Sequence, residues 1–452
     1  MTAIDSLLTH ILDTDYETLP PAAVASAIAF IYDSIGVGIA GATHPRVAQV
    51  RAAARGWGEG RQARVWTSGE GLPAPAAAMV NAWQVHNQEY DCVHEAAVVH
   101  PMAVILPALI AYAEREGGVS GRDLILAVVL AVDVATLVGT AQGAPMRFFR
   151  PAMCGALGAA AGLARLAGAS REVLHNTLGI AYSQLSGTMQ AHLEGSPMLA
   201  LQVGINARAA LGALDLAQQG FEGPKDILDG PFGYFALFDG QSDWGRAAAE
   251  LGKVFQITRV SHKPFPSGRA SHGALDGLAT LRREHDFGAA EVERVVLRAP
   301  PLIARLVGRA PHPGMDVNYA RLCLAYLAAV ALLDGGVGLG SFTAQRLAAG
   351  DWQALAARVT VERWELDDPN ALAPQRLEVS LTGGRMLAIE LPQALGHPER
   401  PLSPAAQRAK FEACCRQGGF DDGAIDRLEA MLVRLDALGD VRELAALTTA
   451  PH

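Results

Sequence analysis

Aromatic residues make up only 6% of this chain and charged residues only 18%. The shortage of rings leaves too little strand-favouring material for a β-sandwich. The shortage of charge, with half of the residues hydrophobic, excludes global disorder, because enough apolar surface can be buried to offset the ordering of the chain. No basic tract accompanies the net charge of −9, so the counterion-releasing surface of a nucleic-acid binder is missing and no such partner is expected. The five cysteines, at 92, 154, 323, 414 and 415, contain no Cys-x-x-Cys, and an odd count in so long a chain argues for a reducing cytoplasm over a disulfide framework. Asp5, His10, Asp13 and Asp15 stand where a secretory leader would be basic and then apolar, so no leader is expected. The apolar runs Pro101 to Ala113 and Leu322 to Leu333 are shorter than the roughly 20 residues of a membrane span, so no membrane partner is expected either. Also missing are a Gly-x-x-x-x-Gly-Lys-Ser/Thr phosphate loop, a His-Glu-x-x-His zinc motif and a Gly-x-Ser-x-Gly nucleophile elbow. Gly155-Ala-Leu-Gly158 has no preceding strand and reads as helix packing instead of a dinucleotide site.

What the chain does have is helical periodicity. At 452 residues it exceeds what one hydrophobic core can serve, which predicts two domains. Val24, Ile28, Ile31 and Ile35 fall on one face of a helix that starts near Pro21. Further helices are predicted from Pro101, from a Ser120 cap and from Ser170, with stops at Gly117-Gly118, Gly168 and Gly220. The pattern changes after Pro266. Val295/Leu297 and Val359/Val361 alternate, and Leu377, Val379 and Leu381 meet Leu387, Ile389 and Leu391 across Thr382-Gly383-Gly384-Arg385, a hairpin. A helical run from Tyr319 to Leu333 lies between these strands, and Ser403-Pro404 opens a last helical stretch marked by Ile425, Leu428, Leu432 and Leu435. The fold class expected is mainly α: a large all-helical domain containing both termini, over residues 1–262 and again 400–452, plus a smaller α+β lid domain at 263–399.

Two polar clusters interrupt the apolar background. The first runs from Asn81 to His100 and holds His86, Glu89, Asp91, His94, Glu95 and His100, a set that is costly to bury without partners. His100 precedes a proline-started helix, whose orphan N–H groups favour a bound carboxylate, and a neutral imidazole there can take a proton. For His86 and His94 a satisfied loop histidine explains the sequence equally well. Cys92 lies among acids that oppose thiolate formation, so it is not expected to be a nucleophile. The second cluster, Arg259 to His272, has five potentially cationic side chains and no acid. Pro264 and Pro266 stiffen it, a partly desolvated Lys263 can exchange protons, and Arg269 can grip a carboxylate, with Ser267 and His272 beside it. The bland reading of this cluster is a salt-bridge patch.

At these clusters, and at Asp33-Ser-Ile-Gly-Val-Gly-Ile-Ala-Gly41, Cys154-Gly-Ala-Leu-Gly158, Gly220-Phe-Glu-Gly223-Pro-Lys-Asp-Ile-Leu-Asp-Gly230 and Leu332-Leu-Asp-Gly335, the chain resembles the MmgE/PrpD family over most of its length. The resemblance implies a large helical domain, a smaller lid, usually a homodimer and no cofactor. It places the family's proton-transfer positions on His100 and Lys263 and its acidic positions on Glu89 and Asp91. It also shows departures. Arg147-Phe148-Phe149-Arg150-Pro151 has no histidine where decarboxylase-like and dehydratase-like members carry one, Met198-Leu199 replaces a lysine, and Gly268 meets a lid histidine. These argue against itaconate formation and for a substrate less charged than a tricarboxylate.

The expected function is therefore a lyase or isomerase, dehydration before epimerisation or decarboxylation, that moves a proton beside the carboxylate of a small acid. His100, Lys263, Asp91 and Glu89 would be catalytic. Arg269, His86, His94, His272 and Ser267 would bind substrate, and no metal would be required. Two alternatives come from other classes: a metal-dependent hydrolase using His86, Glu89, Asp91, His94 and His100, and a carboxylate-binding protein without turnover.

Overall fold

The computed structural model describes residues 2–238 and 240–451, and these are mainly helical. They divide into two compact units, one of residues 2–189, 198–238, 240–260 and 403–451, the other of residues 190–197 and 261–402.

In the first unit the helices Pro21–Gly41, Ala74–His86, Pro101–Glu116, Gly121–Thr140, Arg150–Leu166 and Met198–Gln218 pack on one another. Their starts follow elementary chemistry. Pro21 and Pro101 occupy first-turn positions where a missing N–H costs nothing. The Ser120 hydroxyl accepts from the Asp123 amide while the Asp123 carboxylate accepts from the Ser120 amide, a reciprocal cap, and Ser170 accepts from the Val173 amide. Small residues let the backbones approach. A Cβ added at Gly155 would lie 2.6 Å from Val104 Cγ2, one at Gly204 would lie 2.5 Å from the Met79 carbonyl oxygen, and one at Gly41 would overlap the Gln84 carbonyl.

Two helices of this unit, Pro21–Gly41 and Gly121–Thr140, are long and apolar enough to cross a membrane by length and composition. The apolar runs singled out in the sequence lie in other helices; these two each carry a buried carboxylate, Asp33 or Asp133. Within the unit, 61% and 89% of their apolar windows are buried. The chain returns through Pro404–Gln417, capped by the Ser403 hydroxyl, and Asp422–Val433. Leu435 falls beyond Asp422–Val433, in a single 3₁₀ turn that precedes a final helix, Val441–Leu447. The unit also contains a short antiparallel pair, Ala63–Arg64 with Gly71–Leu72, where the sequence shows almost no alternation.

The second unit holds a four-stranded sheet in the order Val359–Arg363, Val292–Ala299, Gln375–Leu381, Met386–Leu391. Val295 pairs with Val359 and Leu297 with Val361 in parallel, while Leu377 faces Ile389 and Val379 faces Leu387 in the antiparallel hairpin. Leu377, Val379 and Leu381 point to the buried face, against the helix His272–His285. The run Tyr319–Leu333 is not one helix. It breaks into Val317–Ala320 and Leu324–Asp334, because Cys323 is extended and bridges Gly308, while Arg321 Nη1 turns to the Pro266 carbonyl at 3.1 Å. Residues 190–197 join this unit through Arg309, which donates to the His192 carbonyl at 2.8 Å.

Gly41 gives the packing a direct test. Gly41→Ala forces the Pro21–Gly41 and Ala74–His86 backbones apart and is expected to lower unfolding free energy by roughly 3 kcal/mol in urea titrations. A change below about 0.5 kcal/mol would show that these helices do not depend on close approach.

Candidate active site

The helix Ala74–His86 ends in the first polar cluster, and the helix Pro101–Glu116 begins at its other end with His100 as N-cap. The connection has to reverse the chain in thirteen residues. It does so with two left-handed residues, Glu89 at φ 49° and Val98 at φ 52°. For a β-branched side chain this conformation is a genuine outlier, and it persists where the surroundings dictate it. Here His94 N donates to the Val99 carbonyl at 2.8 Å and Val99 N to that of His94 at 3.2 Å, closing a tight loop that delivers His100 to its helix.

Asp91 lies at the centre. Its carboxylate is fully buried, and one oxygen, Oδ2, accepts from His86 Nδ1 at 2.9 Å and from His100 Nδ1 at 3.1 Å. The two rings meet edge to face with centroids 5.0 Å apart. An ionised carboxylate only accepts, so each imidazole presents its Nδ1 proton to it, and the lone pair of His100 is then carried by Nε2. Burial strengthens both bonds. Glu89 stands at the margin, its Oε1 3.7 Å from His86 Nε2. Phe149 completes this side as N-cap of Arg150–Leu166, its ring 5.7 Å from that of His86. An apolar ring thus lines the place where the resemblance expected a histidine.

The structure separates His94 from this group. Its Nδ1 accepts from the Ala97 amide at 3.2 Å, so its Nε2 proton goes to Gln256 Oε1 at 3.2 Å. Burial pushes its pKa down to about 4, which keeps it neutral. It holds the loop. Cys92 is fully buried, and burial, Asp33 and Asp91 together hold its thiol well above the usual range, as its acidic neighbours in sequence suggested.

In the second unit most of the cationic cluster is engaged by its own backbone. Arg269 Nη1 donates to the Leu395 carbonyl at 2.7 Å and Nη2 to that of Ala394 at 3.1 Å. His272 Nε2 donates to the Ser267 carbonyl at 3.0 Å, and the hydroxyls of Ser267 and Ser271 are 2.9 Å apart. Arg269, Ser267 and His272 therefore fix the shape of the loop, and for Arg269 no sequence spacing could reveal this because its carbonyl acceptors arrive from residues 394 and 395. Lys263 is fully buried. Arg259, in the first unit, pairs with Glu250 at 2.7 Å. Sequence reasoning passed over Lys410, whose ammonium donates to the carbonyl of Tyr90, next to Asp91, at 2.8 Å. A lysine beside Phe411 on a partly apolar helix was the available signal.

Comparison with known proteins is consistent along the chain. The MmgE/PrpD N-terminal domain matches residues 5–247 and the MmgE/PrpD C-terminal domain residues 265–433. Cis-aconitate decarboxylase of Mus musculus is 29% identical over 442 residues, covering 92% of this chain and 87% of its own. That of Homo sapiens is 28% identical over 440 residues, with coverages of 93% and 88%. That of Aspergillus terreus is 26% identical over 414 residues, with coverages of 86% and 84%.

The depressed pKa of His94 has a consequence for stability. Its unfolded value is about 6.5, so below that pH the unfolded chain binds a proton that the folded chain refuses. The stability it contributes is complete above pH 6.5 and is lost as pH falls toward about 4. Between pH 7 and pH 5 the expected loss is about 2 kcal/mol. Urea unfolding of His94→Asn should show a correspondingly smaller drop between those pH values than the parent does; equal drops would mean that His94 is not held neutral.

Proposed function

Because the chain belongs to the MmgE/PrpD family, we propose that it is a cofactor-independent lyase or isomerase that moves a proton at the carbon next to the carboxylate of a small organic acid. The observation that carries this reading is the Asp91 carboxylate shared by His86 and His100. With Nδ1 tied to Asp91, His100 Nε2 is the base that takes the proton, and the buried carboxylate stabilises the imidazolium that forms. The N-terminus of Pro101–Glu116, immediately beside it, offers N–H groups to the substrate carboxylate. Lys263 is the second proton-transfer group of the reading, supported by the family resemblance and by its complete burial in a stiffened loop. Arg269 becomes a positioning residue, since its donors serve carbonyl groups. The decarboxylase names of the relatives support lyase chemistry. Loss of water, loss of carbon dioxide and epimerisation share the same first proton step.

Phe149 supports a substrate different from a tricarboxylate, because a ring beside His86 offers no charge to a further carboxylate. The decisive experiment follows citrate-like, aconitate-like and succinyl acids for new absorbance and for exchange of the α-proton with deuterated solvent. On the acid that reacts, His100→Ala and Lys263→Ala are each expected to lower kcat by about 10²- to 10⁴-fold. Full activity in both variants would sink the assignment. Phe149→His is expected to shift preference toward the tricarboxylate.

A second reading is favoured by one observation: ligand atoms of His86, Asp91 and His100 lie within 4.8 Å of one another, as a metal ion would require. Zinc bonds of about 2.0–2.1 Å in a tetrahedron set neighbouring ligands roughly 3.3 Å apart. The spacings of 2.9 and 3.1 Å are shorter and are those of hydrogen bonds. Stoichiometric metal in the purified protein, lost in Asp91→Asn, would reverse this preference.

The reading extends to a cytoplasmic homodimer formed by the helical unit. Phe221, Phe232 and Leu237 there are 60%, 79% and 51% exposed, apolar side chains that a second copy would cover. Light scattering is expected to give twice the 47.5 kDa of one chain, and the single-chain mass at micromolar concentration would refute the dimer.

A further inference from the structure

Behind the Asp91 loop, away from the two imidazoles, a lysine from the far end of the sequence meets an aspartate from near its start. Lys410 lies on Pro404–Gln417 and Asp33 on Pro21–Gly41, helices in contact within the first unit. The Lys410 ammonium is 2.6 Å from Asp33 Oδ1, with both side chains 5% exposed. It also donates to the Tyr90 carbonyl at 2.8 Å and stands 4.1 Å over the Tyr90 ring. Its neighbours are otherwise weakly polar. Cys92 and Cys414 are fully buried thiols that burial keeps protonated.

Burying an ammonium and a carboxylate costs several kcal/mol, and well-packed apolar residues of similar size would often hold two helices together as firmly. What an apolar pair would not supply is a donor aimed at the Tyr90 carbonyl. That carbonyl belongs to the peptide joining Tyr90 to Asp91, and the preceding residue, Glu89, is in the left-handed region. A peptide flip or a small slide at this bond would move the carboxylate that both imidazoles share.

We propose that Lys410, charge-balanced by Asp33, is a positioning residue that locks the Tyr90–Asp91 peptide and so fixes the tautomer and direction of His100. The link to catalysis rests on the proton-transfer reading above; the link to His100 geometry does not. Lys410 touches no reacting atom.

The test compares two charge-neutral double variants of the full chain. Lys410→Met with Asp33→Asn removes the donor without leaving a lone buried charge. Lys410→Gln with Asp33→Asn keeps an N–H directed toward the Tyr90 carbonyl. The readout is the imidazole ¹⁵N spectrum of histidine-labelled protein, with His86 and His100 assigned from their single variants, which reports tautomers without any substrate. In the parent, His100 is expected as the Nδ1–H form. The Met variant should show mixed tautomers, and the Gln variant should restore the parent pattern. Where turnover is measurable, kcat should fall about tenfold or more in the Met variant, with KM little changed and the acidic limb of the pH profile, which reports the protonation of His100, displaced. An unchanged His100 spectrum in a folded Met variant overturns the proposal, as does a Gln variant that loses the pattern equally. If the tautomer shifts as expected while His100→Ala leaves turnover intact, the positioning role stands and the proton-transfer reading falls.

Discussion

The site depends on one buried carboxylate oxygen. Asp91 Oδ2 receives two imidazole protons from opposite ends of a chain reversal, one from the last residue of a helix and one from the N-cap of the next. A carboxylate this deep is tolerated because charge-assisted bonds to fixed donors replace the water it has lost. The dependence runs both ways. The helices must end where they do for the imidazoles to reach Asp91, and the connecting loop must accept left-handed conformations at Glu89 and Val98 for Asp91 to reach them. The tight loop closed between His94 and Val99 makes that strain tolerable by leaving the backbone no other way to pair.

Small residues carry this precision into the rest of the helical unit. Gly41 abuts the Gln84 carbonyl two residues before His86, and Gly155 meets Val104 one turn after His100. These glycines set the distances between helices whose ends hold the imidazoles. Asn87 adds a side-chain bond from Nδ2 to the Gly41 carbonyl at 3.0 Å, tying the start of the loop to the same crossing. Loss of close packing would therefore reach the site through the backbone, with no need to touch a polar residue.

Local patterns were legible in the sequence and long-range partnerships were not. The Ser120, Ser170 and Ser403 caps and the hairpin across Gly383-Gly384 can be read from a few neighbouring residues, because hydrogen bonds three residues apart and alternation of period two are local physics. The first cluster was legible as a cluster for the same reason. Its internal division was not: His94 looks like His86 and His100 in sequence, and only the arrival of Gln256, 162 residues later, makes it a neutral brace. Arg269 likewise reads as an anion grip in sequence, where nothing local shows that the carbonyls of Ala394 and Leu395 accept from it. The break at Cys323 was invisible because Leu322 to Leu333 is apolar throughout, and periodicity cannot register one extended residue.

The two longest apolar helices show how a single charge can give a featureless surface a direction. Pro21–Gly41 and Gly121–Thr140 are buried over most of their circumference, so apolar contacts alone would leave their rotation weakly specified. Each carries one deeply buried carboxylate, and each carboxylate meets partners distant in sequence. Asp33 meets Lys410, while Asp133 Oδ2 lies 2.9 Å from His10 Nε2 and Asp133 Oδ1 accepts the Gln256 amide at 2.7 Å. Burial raises the Asp133 pKa, and these partners, which oppose that shift, are met only with the helix turned toward them. A rotation of either helix by one residue would strand its carboxylate among alkyl groups at a cost of several kcal/mol, far more than one apolar contact is worth. The acids thus choose the rotation that the hydrophobic faces leave open. For Pro21–Gly41 the chosen rotation is also the one that places an ammonium behind Asp91.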